Sequence, residues 1–446
     1  MKKRVIFIVV TALLCCLLVA CGSKTRLQAP QNIRQNGPFL IWDEVKNAEG
    51  YIVLADNEEY VTAEPSCNLS FLGGETVYVV KIKAVGDGEN FADSDWSEFG
   101  FNEIFKYTLL ADGSGYEVNL SVSSVELQDR KVVVPSTYEN LPVTRIADKM
   151  FYKCASLTEV VLPNTLKEIG ANAFYNCDAL ESIELPESVT AIGSGAFREC
   201  VALKKIVVSS GVECIAEEMF YECASLTEIV LPNTLKEIGV DAFYNCKALT
   251  SIELPESVTA IGPSAFMHCS SLKKIVVPTG IERIESNMFN DCTSLTEVVL
   301  PSMLKEIRGM AFFGCIALEN IELPASVTAI GSIAFGGCSS LKKIVVPTGV
   351  ERIEGSTFVG CSNLTEVVLP STLKEIMGMA FRKCEALKTV VLPSSLEDIG
   401  KDAFYMCPLE SVFFDGTEAE FLSVSVAEGN DSILSAAVYF LSLIHI

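Results

Sequence analysis

Twelve cysteines recur every 23 residues, and thiols at a fixed spacing first raise disulfide, metal or nucleophile chemistry. A C-x₂₂-C spacing differs from the close pairs that build zinc sites. Equivalent cysteines in stacked coils would hold their Cβ atoms about 5 Å apart, beyond the roughly 3.5–4.5 Å of a disulfide. The spacing favours a buried, reduced packing ladder, with some disulfides or a metal site as the alternatives. The ladder consists of Cys154, Cys177, Cys200, Cys223, Cys246, Cys269, Cys292, Cys315, Cys338, Cys361, Cys384 and Cys407.

Histidines and carboxylates do not form a recognisable catalytic pattern. His268 precedes a ladder cysteine where other repeats carry unrelated residues, and His445 is the penultimate residue. A Ser-His-Asp or Cys-His arrangement therefore lacks a suitable histidine. Glutamates such as Glu159, Glu228 and Glu297 return at one repeat position, which is typical of a face; paired-carboxylate catalysis is the alternative. We predict no catalytic residue, no cofactor and no metal ligand, and we do not expect an enzyme.

The acidic segment VGDGENFADSD, from Val85 to Asp95, raises calcium binding as a further chemistry. It lacks the regular Asp-x-Asp-x-Asp-Gly order of a calcium loop. Glycine and aspartate are also the residues that turns favour. We interpret the segment as a solvated loop between strands, with calcium binding as the alternative.

The cysteines belong to a 23-residue repeat that begins near Lys131 and decides the fold. Every third unit is nearly identical, so the longer period is 69 residues. Alternation around Val160 predicts a strand, a second extended piece ends before Gly170, and ANAFYNC predicts a brief helical or 3₁₀ turn. One unit cannot form a core alone, so the coils are expected to stack into a parallel solenoid. The inward positions of one unit are Leu157, Val160, Leu162, Leu166, Ile169, Ala173, Phe174 and Cys177.

The outward positions of the first strand carry acidic, neutral and basic stripes from coil to coil. One explanation is that opposite charges stabilise neighbouring strands slightly and discourage edge-to-edge aggregation. The other is a broad polar docking surface, because solenoids bind partners through an extended face. An aromatic row that would favour sugar stacking is missing from these positions. The candidate partner-binding residues are Thr158, Glu159, Glu181, Ser182, Lys204, Lys205, Glu228, Lys273, Lys274, Glu297, Lys342 and Lys343.

The repeat resembles the BspA-like leucine-rich repeat family over about residues 106–440, with its motif Leu-x-x-Ile-x-Leu-Pro…Ile-Gly-x-x-Ala-Phe-x-x-Cys. FKYTLLADGSGYEVNLSV resembles the family's amino-terminal cap, and VFFDGTEAEFLSVSVAEGNDSILSAAVYF resembles its closing segment. The resemblance implies a surface-displayed interaction protein, in some members an adhesin. We expect a host or envelope protein as partner, and a monomeric chain.

The amino terminus has the layout of an export signal. Three basic residues at 2–4 precede an apolar run to Leu18 that is too short for a comfortable membrane span. Leu-Val-Ala-Cys at 18–21 resembles a bacterial lipobox, which implies cleavage before Cys21 and its lipidation. A plain secreted protein or an uncleaved helix is the alternative. The net charge of −23 argues against binding nucleic acid, so we expect membrane contact through the lipid alone, at the extracellular face of a bacterial cell membrane.

Residues 27–104 carry short alternating runs separated by turns, the pattern of an antiparallel sandwich. The segments around Trp42, Tyr51 and Tyr78 resemble a bacterial fibronectin type III domain. That resemblance implies a spacer or binding module with Trp42 and Tyr78 in its core.

The last six residues, LSLIHI, fit neither pattern. They resemble the in-frame translation of a transposon end used in sequencing libraries, and we interpret 441–446 in that way; a short apolar strand is the alternative. On this interpretation the natural chain continues beyond Phe440.

The sequence therefore predicts a mainly β chain with a short sandwich followed by a parallel leucine-rich-repeat solenoid with short 3₁₀ or helical turns. Its predicted function is lipid-anchored protein binding or adhesion. The alternatives are an accessory region of a surface enzyme whose catalytic domain lies beyond 440, and a structural envelope spacer. The expected boundaries are signal peptide 1–20, tether 21–26, sandwich 27–104, amino-terminal cap and first coil 105–153, repeats 154–406, and carboxyl-terminal coil and cap 407–440.

Overall fold

The computed structural model describes residues 24–36, 39–55, 58–68, 79–100, 105–121 and 131–441. The chain divides after Phe99 into two compact units. The expected signal peptide, Cys21, Tyr78 and residues 442–446 lie outside the described residues.

The first unit contains a three-stranded, a four-stranded and a small two-stranded sheet. Leu40, Trp42, Tyr51, Val53 and Ile82 are buried, and the Trp42 and Tyr51 rings meet edge to face at 5.2 Å. This burial agrees with the alternation of apolar residues in the sequence. In sheet order, the strands are Arg34–Asn36, Phe39–Ile41 and Ser66–Asn68; Glu58–Thr62, Gly50–Ala55, Val79–Val85 and Ser97–Gly100; and Thr25–Arg26 with Phe91–Ala92.

The second unit begins with an antiparallel hairpin of Phe105–Leu109 and Tyr116–Leu120. The second hairpin strand pairs in parallel with Leu141–Ile146, which also pairs with Thr137–Tyr138 and then with Glu168–Ile169. Stacked rings of Tyr107 and Tyr138, 3.9 Å between centroids, pack across this entrance. The hairpin thus covers the first coil, as a solenoid cap must.

Each following coil contributes a segment to two strand rows, and within each row neighbouring coils pair in parallel in groups of two to four strands. The first strand row consists of Lys131–Val133, Glu159–Val161, Lys205–Val207, Glu228–Val230, Lys274–Val276, Glu297–Val299, Lys343–Val345, Glu366–Val368, Thr389–Pro393, Ser411–Asp415 and Ala437–Phe440. Three further coils join this row through single bridges at Ser182, Ser251 and Asn320. The second strand row consists of Leu141–Ile146, Glu168–Ile169, Ala191–Ile192, Cys214–Ile215, Glu237–Ile238, Ala260–Ile261, Arg283–Ile284, Glu306–Ile307, Ala329–Ile330, Arg352–Ile353, Glu375–Ile376, Asp398–Ile399 and Ser425–Val426.

A chain of tight turns closes every coil, and we call it the turn side; in the coil of Cys177 it covers residues 170–177. Hydrogen bonds from Ala173 to Gly170 and from Cys177 to Phe174 span three residues, as in a 3₁₀ turn. Asn172 and Asn176 interrupt them with positive φ angles of 53° and 55°. These left-handed positions keep the segment from continuing as a helix. Helix is confined, among the described residues, to Glu418–Ser423, Asp431–Ser435 and a one-residue 3₁₀ position at Leu441.

The core is a set of ladders that run along the stack. Twelve phenylalanines, one per coil from Phe151 to Phe404, are fully buried, and consecutive rings stack with centroids 5.1–5.8 Å apart. Beside them lie the ladder cysteines and the inward leucines and isoleucines. Eight inward positions were predicted for the first unit, from Leu157 to Cys177, and all eight are buried.

The stack ends in two short helices and two longer strands. Thr417 caps the helix Glu418–Ser423 in a reciprocal capping box with Glu420. Asn430, almost fully buried, donates to the Gly400 and Ala427 carbonyls and accepts from the Phe404 amide. This amide satisfies backbone groups that the next coil would otherwise pair.

Candidate partner-binding face

The predicted partner-binding residues lie together on the outer surface of the first strand row. We define the first-row face as the outward side chains from Glu159–Val161 to Glu366–Val368. Of the twelve predicted residues, eleven are exposed and Thr158 is half-buried. The inward partners in the same strands, such as Ile206 and Ile275, are buried. The alternation therefore orients these side chains as predicted.

Lysines of the first-row face pair with glutamates of adjacent coils. Lys205 Nζ lies 2.6 Å from Glu228 of the following coil, and Lys204 Nζ lies 2.7 Å from Glu181 of the preceding one. Lys274 with Glu297, Lys342 with Glu319 and Lys343 with Glu366 repeat the arrangement at 2.6–2.7 Å. All of these side chains are about half exposed, so each pair stabilises the fold only slightly. Among the charged residues of the predicted set, Lys273 is the one for which the described residues provide no ion-pair partner.

A row of exposed valines beside the charges was not among the predicted site residues. The strand pattern places Lys205 and Val207 outward on either side of buried Ile206. The same position in other coils is also valine, and these side chains remain 41–47 % exposed. The row consists of Val207, Val230, Val276, Val299, Val345 and Val368. Strict alternation of the EVV and KIV segments predicts this row, because the residue two after an outward residue also points outward.

An aromatic and cationic row on the turn side was also not predicted. The Arg198 guanidinium lies over the rings of Tyr175 and Tyr221, 5.8 and 4.3 Å from their centroids. Tyr221 stacks on Tyr244 at 4.5 Å, and His268 meets Tyr244 edge-on. These rings contact one another and are half-buried, so they form a packing seam.

The ladder cysteines act as hydrogen-bond donors inside the stack. The Cys246 thiol donates to the Phe220 carbonyl at 3.2 Å, and that carbonyl also accepts the Cys223 amide. Every ladder cysteine from Cys177 to Cys407 donates in the same way, at 2.9–3.3 Å, to the phenylalanine carbonyl of the preceding coil. All fourteen cysteines in the described part carry free thiols, and only Cys214 among them is exposed.

Burial suppresses the acidity of most of the ladder thiols in the middle of the stack. It raises the pKa of Cys269 and of Cys361 to about 12, and it raises the pKa of Cys246 and Cys292 well above the ordinary value. A thiolate is the nucleophile and the metal ligand. The ladder therefore has the properties of a packing element.

The remaining candidate chemistry has local structural roles. Asp87 accepts the amides of Glu89, Asn90 and Phe91, which lowers its pKa to about 2, and Asp93 pairs with Lys83 at 3.0 Å. The loop 85–95 is thus a hydrogen-bonded turn in which the Asp87 and Asp93 carboxylates are already engaged. His268 occupies a left-handed turn position with φ of 61°. The described residues include no group of three or more potential ligands placed for a metal ion.

Within the described ranges, no helix combines the length and apolar character needed to cross a bilayer.

Comparison with known proteins identifies the repeat. The family described as BspA type leucine rich repeat region matches in overlapping stretches over residues 144–273, 213–333, 259–382 and 305–424. A comparison with curated protein sequences gives no match.

Three solved structures illustrate the similarity. A leucine-rich repeat protein from Bacteroides ovatus is 29 % identical, with a TM-score of 0.52, and the alignment covers 74 % of this chain and 90 % of that one. A leucine rich cell surface protein from Faecalibacterium prausnitzii is 26 % identical, with a TM-score of 0.43 and coverages of 74 % and 98 %. The leucine rich repeat protein of T. pallidum is 30 % identical, with a TM-score of 0.35 and coverages of 53 % and 88 %. The repeat motif, the parallel solenoid and the family match agree, and the chain belongs to the BspA-type leucine-rich repeat family.

Proposed function

We propose that this chain is exported, is anchored by lipid at Cys21, and binds a protein partner of the host or cell envelope through its first-row face. The observation that carries the binding proposal is the row of six valines, each 41–47 % exposed, beside the charged side chains of the same strands. Ordered apolar side chains on a surface are typical of protein contacts. Leucine-rich repeat proteins generally bind proteins, which supports this choice.

The other parts of the proposal are supported by the sequence and by the first unit. The basic residues at 2–4, the apolar run and Cys21 support export and lipid attachment. The three- and four-stranded sheets around buried Trp42 suit a fibronectin type III-like spacer at 27–104. A spacer between anchor and solenoid would hold the first-row face away from the membrane. We propose no enzymatic role.

A structural envelope spacer is the second candidate function. It is favoured by the ion pairs of the first-row face, because most lysines there are already neutralised by this chain's own glutamates. In that case the charges serve solubility and prevent edge-to-edge aggregation.

A matched pair of variants separates the two functions. The test variant carries Val207→Ser, Val276→Ser and Val345→Ser on the first-row face; the control carries Val61→Ser, Val201→Ser and Val240→Ser at exposed valines elsewhere. Each full-length protein is immobilised and tested against surface and secreted proteins, and saturable binders are measured by titration. We expect the test variant to bind at least about tenfold more weakly, because each lost valine removes apolar area from the contact, and we expect the control to bind normally. A lack of saturable binders, or an equal loss in both variants, would support the spacer instead.

A further inference from the structure

The first strand row is interrupted at every third coil. Glu159–Val161 pairs with Lys131–Val133 on one side, but within this described region no backbone hydrogen bond joins it to Ser182–Glu184 on the other. The same gap separates Glu228–Val230 from the next coil, and Glu297–Val299 from the one after. Gaps therefore recur with the 69-residue period of the sequence. We call the first three cleft 1 (159–161 and 182–184), cleft 2 (228–230 and 251–253) and cleft 3 (297–299 and 320–322). A fourth gap separates Glu366–Val368 from Thr389–Pro393 and carries an outward valine, Val391.

The second strand row is interrupted as well, but one coil later. Ala191–Ile192 is not paired with Cys214–Ile215, nor Ala260–Ile261 with Arg283–Ile284, in the described structure. A cavity of about 350 Å³ opens at the latter gap. The middle coil of each 69-residue unit is thus unpaired from the preceding coil in the first strand row, and from the following coil in the second strand row. On the turn side, by contrast, the Phe174 amide still donates to the Ala196 carbonyl, and this bond repeats in every coil from Phe151 to Phe381.

Ion pairs of the first-row face stop at the clefts too. The ion pairs of the first-row face join coils within a paired group, and none between described residues crosses a cleft. The inward residues confirm the opening: Ile229 and Ile252, which flank cleft 2, are 8 % and 7 % exposed, whereas Ile275 at the centre of a group is 0 % exposed. Cleft 1 has a volume of about 420 Å³; Val160, Ile183 and Leu185 form an apolar part of its floor, beside the polar side chains of Asn164 and Ser182.

Each cleft also has an acidic side chain at its mouth. Glu184, Glu253 and Glu322 occupy the position that is valine in the other coils, and all three are exposed. Other carboxylates of the first-row face are paired with lysines, but no described cation lies within ion-pair distance of these three. A cleft therefore combines an apolar floor with one uncompensated negative charge.

We propose that clefts 1, 2 and 3 receive basic side chains from an extended segment of the protein partner. A lysine or arginine suits this shape, because its apolar stem can lie on the valine and isoleucine floor while its charge meets the glutamate. Three coils of roughly 4.8 Å place successive clefts about 14 Å apart, and four residues of an extended chain span about 13 Å on one side of the strand. A segment with a basic residue at every fourth position matches the three clefts. This inference rests on the proposed protein-binding function and identifies the chemistry of the partner.

A synthetic peptide of about 17 residues, rich in Ser, Thr and Val with Lys at every fourth position, tests the match against the full-length protein. A second peptide of the same composition carries Lys at every third position, so that successive lysines point to opposite sides. The test variant is Glu184→Gln, Glu253→Gln, Glu322→Gln; the control variant, Glu44→Gln, Glu89→Gln, Glu385→Gln, makes the same charge change at exposed glutamates elsewhere. Fluorescence anisotropy should show tighter binding of the first peptide, and roughly tenfold weaker binding to the test variant only, since three exposed ion pairs act together.

The outcomes separate this inference from the proposed function. Equal affinity for the two peptides, or equal losses in both glutamine variants, would contradict the clefts as basic-residue sites. If a protein partner is lost with the serine variant of the valine row but kept with the Glu184, Glu253 and Glu322 variant, the binding function stands and this inference fails. Dimerisation in sedimentation experiments that the test variant abolishes would identify a second copy as the occupant and would also overturn it. Amide exchange that is no faster at 159–161 and 182–184 than at 205–207 would show that the clefts are closed in solution.

Discussion

The turn side and the first-row face belong to the same coils, yet they differ in how continuously neighbouring coils contact each other. On the turn side every coil is hydrogen-bonded to the next, phenylalanine rings stack without a break, and each cysteine from Cys177 donates to the coil before it. On the first-row face the hydrogen bonds and ion pairs cease at every third coil. The turn side alone supplies uninterrupted cohesion from coil to coil.

This difference explains how a solenoid can carry clefts without losing its stack. Opening a strand ladder costs hydrogen bonds, but the neighbouring turn ladder holds the two coils in register. The strand side is then free to vary in charge and spacing from coil to coil. Substitutions on the two sides should therefore differ sharply in their effect on stability.

Alkaline pH should produce the largest effect, because it acts on many thiols of the ladder at once. Burial holds the folded-state pKa of Cys269 and Cys361 at about 12, above the ordinary value of 9.0 that the unfolded chain regains. Raised folded pKa values give stability that is complete below about pH 9 and is lost as the pH rises towards 12. Each such thiol should lower the free energy of unfolding by on the order of 1 kcal/mol at pH 10, because it ionises in the unfolded chain but not in the folded one. Urea unfolding measured from pH 7 to 10.5 should show this steep decline.

A variant with Cys269→Ser and Cys361→Ser provides the check on that slope. Serine keeps a hydroxyl donor but does not ionise in this range. The slope of the unfolding free energy against pH should therefore decrease by the contribution of two titrating thiols. Cys214→Ser, at the exposed thiol, should change the slope by at most one group. At neutral pH a thiol reagent should label Cys214 in the native protein. It should label the ladder cysteines only after the protein is unfolded. Ready labelling of the ladder in the native state, or a slope unchanged by the double variant, would show that the thiols are not sealed.

The next largest contrast is between a ring of the turn side and a valine of the first-row face. Phe243 is fully buried, with ring centroids of its neighbours at 5.4 and 5.3 Å, so Phe243→Ala should cost about 3–5 kcal/mol. Val276 is 43 % exposed, so Val276→Ala should lower the free energy of unfolding by no more than about 0.5 kcal/mol. Urea unfolding followed by circular dichroism compares the two. Similar costs would show that the first-row face is part of the core.

The sequence was sufficient to predict the coil but not the relation between coils. Alternation and the 23-residue period identify the inward residues, and all eight of the first unit are buried. The period also identifies the charge stripes on the first-row face. The clefts depend on how one coil is tilted against the next, and every coil has almost the same motif. A local indication at clefts 1, 2 and 3 is the replacement of an outward valine by Glu184, Glu253 and Glu322, whereas the fourth gap keeps Val391.

The turns show a second limit of residue preference. Each coil places two residues in the left-handed region, and asparagine at 172 and 176 is what such positions favour. Yet Ile333, which is β-branched, adopts φ of 59° in the equivalent place. Its amide donates to the Gly355 carbonyl of the next coil. The coil-to-coil hydrogen bonds impose the conformation there, so it cannot be inferred from that residue alone.

The smallest expected effect concerns single charges of the first-row face. Lys274 pairs with Glu297 at 2.7 Å, whereas neighbouring Lys273 has no ion-pair partner among the described residues, so the two lysines are matched except for the pair. Both side chains are exposed, and the excess cost of Lys274→Gln over Lys273→Gln should be about 0.2–1 kcal/mol, decreasing with added salt. Urea midpoints at low and high ionic strength measure this difference. If the charges contribute so little to folding, their regular arrangement within the paired groups has to be explained by aggregation resistance or by recognition. A difference of several kcal/mol would instead make the strand side as necessary to the stack as the turn side, and the contrast between the two regions would fail.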